Sequence, residues 1–386
     1  MTSPNDFDFF LRTRMVRGEG AINRLGELAS ELGARRVLVV SDPGIVEAGH
    51  VARGIDSLEA AGIETTLFDG AQENPTTANV DSGLKIARRI EPEMLVGLGG
   101  GSAMDCAKGI NFLYSNGGEM KDYWGVGKAL RPMLPMIAVP TTSGTGSEMQ
   151  SFALISDSKT HAKMACGDVK ASCRIAILDP NLTMTQPHWV TALTGIDALS
   201  HALETYVTKK RNPISVLFSR QSWRLIAGNF QKVLEFPDDL EARSAMQLGA
   251  AYAGIAIENS MLGASHALAN PITATYGTAH GQAVGVMLPH VIRYNGQEHG
   301  QWYRELLEET SDLPGCPDPS GGFEALADFV TGMVDAAGLE TRLTQCGVAN
   351  DQLHQMSENA ATQWTGQFNP RSVDQRNLLQ LYEQAL

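Results

Sequence analysis

In the second half of the chain, Asp197 and His201 stand four residues apart in Gly195-Ile-Asp-Ala-Leu-Ser-His-Ala-Leu-Glu204. On a helix that spacing puts both side chains on one face. His266 and His280 follow fourteen residues apart, the first among small and apolar neighbours and the second before Gly281. An ionisable side chain in apolar surroundings needs a partner. Read one at a time, each of these residues is satisfied by a hydrogen bond in a core. Read together, one carboxylate and three imidazoles match a divalent transition metal and leave coordination positions open for a substrate.

The first half carries a different chemistry. The apolar run Met94–Leu98 leads into Gly99, Gly100, Gly101 and Ser102, and a helix-like stretch follows. Three glycines at a strand-to-helix turn let the backbone approach a pyrophosphate, with the free N–H groups of the new helix aimed at the anion. Ser102 with Asp105 three residues on predicts a capping box at the helix start. The triplet is not the G-x-G-x-x-G dinucleotide fingerprint, and in isolation it reads equally as a tight turn. A second cluster, Pro140-Thr-Thr-Ser-Gly-Thr-Gly-Ser-Glu148, offers the hydroxyls of Thr141, Thr142 and Thr145 to phosphate or ribose oxygens. Two such loops after successive strands fit the ligand-binding edge of an α/β sheet. Asp42, just past another apolar run, can accept from an adenosine ribose 2′-hydroxyl and repel a 2′-phosphate, which favours NAD over NADP. Its other reading is a turn residue before Pro43.

The elements that must position these residues follow from the hydrophobic pattern. Residues 36–41, 94–98, 134–139 and 174–178 read as buried strands, and 21–32, 45–61, 78–89 and 102–114 as helices between them. That alternation implies βαβ units and a mainly parallel sheet. From Pro187 onward the period becomes 3.6, with helices expected over 190–207 and 213–234 and one buried helix over 248–269. The expectation is an α/β dinucleotide-binding domain over 1–187 and an all-helical domain over 188–386. The Pro- and Gly-rich segment 311–322 reads as a surface loop.

Composition narrows the function classes. A chain of 386 residues with 43% hydrophobic and 19% charged residues can bury two cores. A net charge of −13 argues against nucleic acid and anionic lipid, which call for cationic surfaces. Five scattered cysteines without a C-x-x-C pair suit a reducing, cytoplasmic setting, and the first ten residues do not read as a signal peptide. The expected partners are a small molecule and other copies of the chain. Cys106 reads as buried, His161, His188 and His299 as surface residues, and His290 as a core residue or a neighbour of the ligand set.

The ordered strings Asn74-Pro-Thr76, Gly99-Gly-Gly-Ser-x-x-Asp-x-Ala-Lys108, Pro140 to Glu148, Asp179-Pro-x-Leu-Thr183, Thr194-Gly-x-Asp-Ala-Leu-Ser-His-Ala-x-Glu204 and His266 to His290 span residues 10–300. With them the chain resembles the iron-dependent (group III) alcohol dehydrogenases. The resemblance implies a dehydroquinate synthase-like fold, with an α/β N-terminal dinucleotide-binding domain, an all-α C-terminal domain and an active site in the cleft between them. It implies a divalent metal, Fe(II) or Zn(II), on Asp197, His201, His266 and His280. It implies NAD contacts at Asp42, Gly100, Gly101, Ser102, Thr141, Thr142 and Thr145, and further contacts at Lys163 and Leu182. It also implies a small alcohol or aldehyde as substrate, and the expected form is a cytoplasmic homo-oligomer, a dimer. One position departs from the family: the histidine expected four residues after the third ligand is Asn270, which cannot titrate near neutral pH. Asn270 remains a catalytic candidate as a hydrogen-bonding group for substrate.

Other readings use the same parts. One is a metal-independent enzyme resembling maleylacetate reductase, which Asn270 leaves open and the complete ligand set opposes. Another is a lyase resembling dehydroquinate synthase, whose phosphorylated substrate calls for cations that residues 261–290 lack. A third is a binding protein with a degenerate site, against which the intact loops stand.

Overall fold

The computed structural model describes residues 7–160 and 162–386; His161, expected at the surface, lies outside them. The chain divides into two compact units, residues 10–186 and residues 187–386, the latter together with residues 7–9.

In the first unit the strands are β1 (Arg14–Arg17), β2 (Arg36–Val40), β3 (Glu64–Phe68), β4 (Met94–Gly99), β5 (Gly125–Val126), β6 (Met136–Pro140), β7 (Phe152–Ser156), β8 (Lys163–Gly167) and β9 (Ile175–Leu178). Its helices are α1 (Leu25–Glu31), α2 (Pro43–Glu47), α3 (His50–Ala60), α4 (Thr77–Ile90) and α5 (Gly101–Asn116). Six strands form a parallel sheet in the order β1-β9-β6-β4-β2-β3, and β5-β8-β7 form a smaller sheet with β7 and β8 antiparallel. Alternate residues of the central strands serve opposite cores. Val37, Val39, Val96, Leu98, Ile137 and Val139 pack with Leu25, Leu28, Val51 and Leu58 of α1 and α3. Leu38, Val40, Leu95, Met136 and Ala138 pack with Val80, Leu84, Met104 and Ile110 of α4 and α5. Burial on both faces is why these strands read as unbroken apolar runs.

The second unit is helical: α6 (His188–Tyr206), α7 (Pro213–Ala227), α8 (Phe230–Glu235), α9 (Leu240–Asn259), α10 (Ala264–Tyr276), α11 (His280–Glu309, bent at His299), α12 (Gly322–Ala336), α13 (Leu353–Ala361) and α14 (Gln375–Ala385). One core gathers Leu199, Leu203, Trp223, Phe230, Leu306 and Val330, and another gathers Leu268, Ile272, Met287, Leu378 and Tyr382. Among the described residues, no helix is long and apolar enough to cross a membrane.

Three expected helices are interrupted. The 45–61 helix breaks at Gly49, whose φ of 78° lies in the left-handed region, giving α2 and α3. The 213–234 helix breaks at Gly228 and Asn229. The 248–269 helix breaks between Asn259 and Ala264, where Ser260 leaves helical geometry. The 21–32 segment starts as a 3₁₀ turn over Ala21–Arg24 before α1. His188 is exposed, while His299 is half-buried and stacks on Trp302.

Candidate functional site

Helix α6 presents Asp197 and His201 one turn apart, α10 presents His266 in its first turn, and α11 begins at His280. Their donor atoms converge. Asp197 Oδ1 lies 3.4 Å from His201 Nε2, 3.6 Å from His266 Nε2 and 3.7 Å from His280 Nε2. The donor atoms of Asp197, His201 and His266 all fall within 4.8 Å of one another. Asp197 Oδ1 and His266 Nε2 are buried and have no hydrogen-bond partner. Separations of this size are long for hydrogen bonds. Donors held about 2.1 Å from one ion at tetrahedral angles lie about 3.4 Å apart, which is the spacing seen. The donor set therefore fits a divalent ion.

The electrostatics agree. Burial alone would raise the Asp197 pKa, but the nearby charges of His201, His280 and His266 outweigh it and hold the carboxyl well below the usual range. Burial opposes a charged His266, yet Asp197 and Glu204 pull its pKa up to about 9. Two carboxylates facing these imidazoles make the cluster favourable to positive charge.

Sequence reasoning missed Glu204. Its Oε2 lies 2.6 Å from His266 Nδ1 and accepts from the Gly263 N–H at 3.0 Å, while Oε1 accepts from the Ser265 N–H at 2.6 Å. A carboxylate only accepts, so Nδ1 carries a hydrogen and Nε2 is the ring nitrogen that faces the Asp197 oxygen. The same carboxylate satisfies the open N-terminus of α10, which explains the break after α9. A Cβ at Gly263 would stand 3.0 Å from Asn369 Oδ1 and 3.1 Å from Glu204 Oε1, so a larger residue would push both side chains by a few tenths of an ångström. The one signal in sequence was Glu204 itself, an acid seven residues after Asp197 in an apolar helix. His290 lies farther along α11, half-buried, with burial lowering its pKa to about 4.

In the first unit the two loops meet. Gly99 closes β4 with a φ of 153°, and a Cβ there would fall 2.8 Å from the Ala103 methyl. A Cβ on Gly101 would fall 2.6 Å from Thr145 Cγ2, and one on Gly100 would fall 3.3 Å from Thr142 Cγ2. The expected capping box is absent: α5 starts at Gly101 after Gly100 with no side-chain cap, leaving its first N–H groups open. Asp105 turns inward instead, accepting from the Ser147 hydroxyl at 2.7 Å and the Leu154 N–H at 3.2 Å. Thr141 Oγ1 and Ser143 Oγ are buried without a hydrogen-bond partner. Ser143 was not singled out in the sequence, although it lies in the same string.

The remaining candidates spread out. Asp42 caps α2, its Oδ1 accepting from the Ile45 N–H at 3.1 Å, while Oδ2 lies 3.3 Å from the Cβ position of Gly99. The turn reading and a place beside the glycine loop are both realised. Ser102 is half-buried on α5, Lys163 is half-buried at the start of β8, and Leu182 is fully buried in the core with α1 and α3. Asn270, one turn after His266, donates from Nδ2 to Gln363 Oε1 at 3.0 Å. Cys106 is buried, which pushes its thiol up to about 12 and leaves it unreactive.

Comparison with known proteins supplies the context. The family model described as iron-containing alcohol dehydrogenase matches residues 12–180, and that of the Fe-containing alcohol dehydrogenase family C-terminal part matches residues 191–386. The chain is 32% identical over 383 residues to an NAD-dependent methanol dehydrogenase of Bacillus methanolicus, covering 98% of this chain and 100% of that one. It is 32% identical over 382 residues to a 1,3-propanediol dehydrogenase of Klebsiella pneumoniae, covering 98% of each. A crystal structure of 1,3-propanediol oxidoreductase superposes with a TM-score of 0.94 at 32% identity, covering 99% of this chain and all of the other.

Proposed function

Because the chain belongs to the iron-containing alcohol dehydrogenase family, we propose that Asp197, His201, His266 and His280 hold Fe(II) in an NAD-dependent enzyme that oxidises a small alcohol and, in reverse, reduces an aldehyde or ketone. The convergence of three imidazole nitrogens on Asp197 Oδ1 carries this reading. The same donors accept Zn(II), and the family name favours iron. A bound divalent ion supplies Lewis acidity at the substrate oxygen, and NAD takes up or returns the hydride.

The chain's own residues do the rest. The open N–H groups at the start of α5 and the hydroxyls of Thr141, Thr142, Ser143 and Thr145 receive the pyrophosphate and its riboses. The Asp42 carboxylate beside the glycine loop would repel a 2′-phosphate, which supports NAD over NADP. Lys163 and Leu182 remain assigned by resemblance. The domain boundary is placed near residue 187, which the division of the chain between residues 186 and 187 supports, although residues 7–9 group with the helical unit. The net charge of −13 and five free cysteines support a cytoplasmic protein without nucleic-acid or membrane partners. Exposed Phe10 and Leu11 beside edge strand β1 support a homodimer.

The test is metal removal. Protein stripped by a chelator and verified metal-free is expected to lose alcohol-dependent NADH formation and to regain it with Fe(II). Undiminished turnover without metal would favour the metal-independent reductase reading instead.

Asn270 is assigned to hydrogen-bonding a substrate hydroxyl, since its amide is held by Gln363 and cannot relay protons. Asn270→His is expected to add an ionisation near pH 6.5 to the profile of kcat/KM. A profile identical to wild type would remove position 270 from the reacting region.

A further inference from the structure

Lys108 lies two turns along α5 from the glycine loop and is fully buried. Its ammonium meets four oxygens: the Ser147 carbonyl at 2.7 Å, and the Ser147 hydroxyl and the carbonyls of Gln150 and Phe152 at 2.9 Å each. The Ser147 hydroxyl passes the interaction on to Asp105 Oδ1 at 2.7 Å, so the buried charge is balanced through one bridging group. From Ser147 and Gln150 the contacts run on to Thr145. The Ser147 N–H donates to Thr145 Oγ1 at 3.3 Å, and Gln150 Nε2 donates to the Thr145 carbonyl at 2.8 Å. Thr145 in turn packs over Gly101, the first residue of α5.

One helix thus carries the glycine loop at its start and grips the hydroxyl loop from within. Loops after strands ordinarily shift independently, and an anion site assembled from two of them depends on their register. Lys108 ties loop 140–150 to the helix whose N-terminus it faces, and Thr141 and Ser143 keep buried hydroxyls without protein partners in that same loop. We propose that Lys108 is a positioning residue for the dinucleotide: it fixes the hydroxyl loop against the glycine loop in the arrangement that receives the pyrophosphate, without touching the cofactor. The proposal rests on the reading of these loops as the NAD site.

The experiment is NADH titration of the metal-loaded enzyme by fluorescence, with metal content measured in parallel, on wild type, Lys108→Met and Ser147→Ala. Displacement of a binding group by about 1 Å can cost about 10²-fold. Lys108→Met is expected to raise the NADH dissociation constant by about that factor. KM for NAD should rise far more than kcat at saturating NAD falls, and metal content should stay at the wild-type level. Ser147→Ala, which removes only the bridging hydroxyl, is expected to give a smaller rise in the same direction. A folded Lys108→Met protein with full metal and wild-type NADH affinity would overturn the proposal. If Lys108→Met does not fold, wild-type affinity in Ser147→Ala overturns it just as well. Absence of NADH binding by the wild type would instead refute the NAD reading of the loops.

Discussion

Asp197→Asn is expected to yield a folded protein that purifies without its divalent ion and turns over alcohol at least about 10³-fold more slowly, since Lewis-acid assistance is worth several kcal/mol. The substitution keeps the volume of a side chain packed inside α6 and removes only its charge. Three imidazoles converge on this one oxygen, so Asp197 supplies the negative charge that makes the pocket attractive to a cation. With an amide in its place, His201, His266 and His280 face a neutral group, and a divalent ion gains three neutral donors without charge compensation. NADH binding should persist, because the loops assigned to it are built from a different part of the chain. Metal analysis and NADH titration on one preparation separate the two effects. Stoichiometric metal with wild-type kcat/KM in Asp197→Asn would remove the donor set from the chemistry.

How much of this was legible before any coordinates depends on how local each cause is. Asp197 and His201 were readable because a helix turns their four-residue spacing into proximity, and the α/β alternation was readable because strands buried on both faces leave unbroken apolar runs. Strands β1 and β3 were missed: each lies at an edge of the sheet, and Arg14, Arg17 and Glu64 break the apolar signal. Hairpin β7–β8 was missed because Phe152–Ser156 and Lys163–Gly167 flank a polar turn that resembles any surface loop. The Ser102–Asp105 capping box failed for a non-local reason, since Asp105 is claimed by Ser147 and Leu154, more than forty residues away. The single helix over 248–269 failed likewise. Nothing in that apolar run announces that an acid near residue 200 takes the N–H groups which a continuous helix would keep.

That acid gives the second large effect. Glu204→Gln is expected to weaken metal affinity about 10- to 100-fold, the range seen when a carboxylate behind a ligating histidine is lost. The reason lies in the donor count. Glu204 accepts from three N–H groups, His266 Nδ1, Gly263 and Ser265, with two oxygens. A glutamine has one oxygen and an NH₂ group, so at least one buried N–H must face another donor. Such a clash costs about 1–3 kcal/mol. If the amide oxygen stays on His266 and Gly263, the conflict falls on Ser265 at the start of α10 and the helix that carries His266 shifts. If it turns to Ser265, the conflict falls on His266 itself, and the ring loses the partner that fixes its tautomer and direction. Either outcome loosens one of four donors while leaving all four present, so Glu204→Gln should bind metal weakly and recover activity as Fe(II) is raised. Asp197→Asn should recover little at any concentration. A metal titration of activity in the two variants makes the distinction, and a Glu204→Gln curve superimposable on wild type would show that His266 needs no second carboxylate.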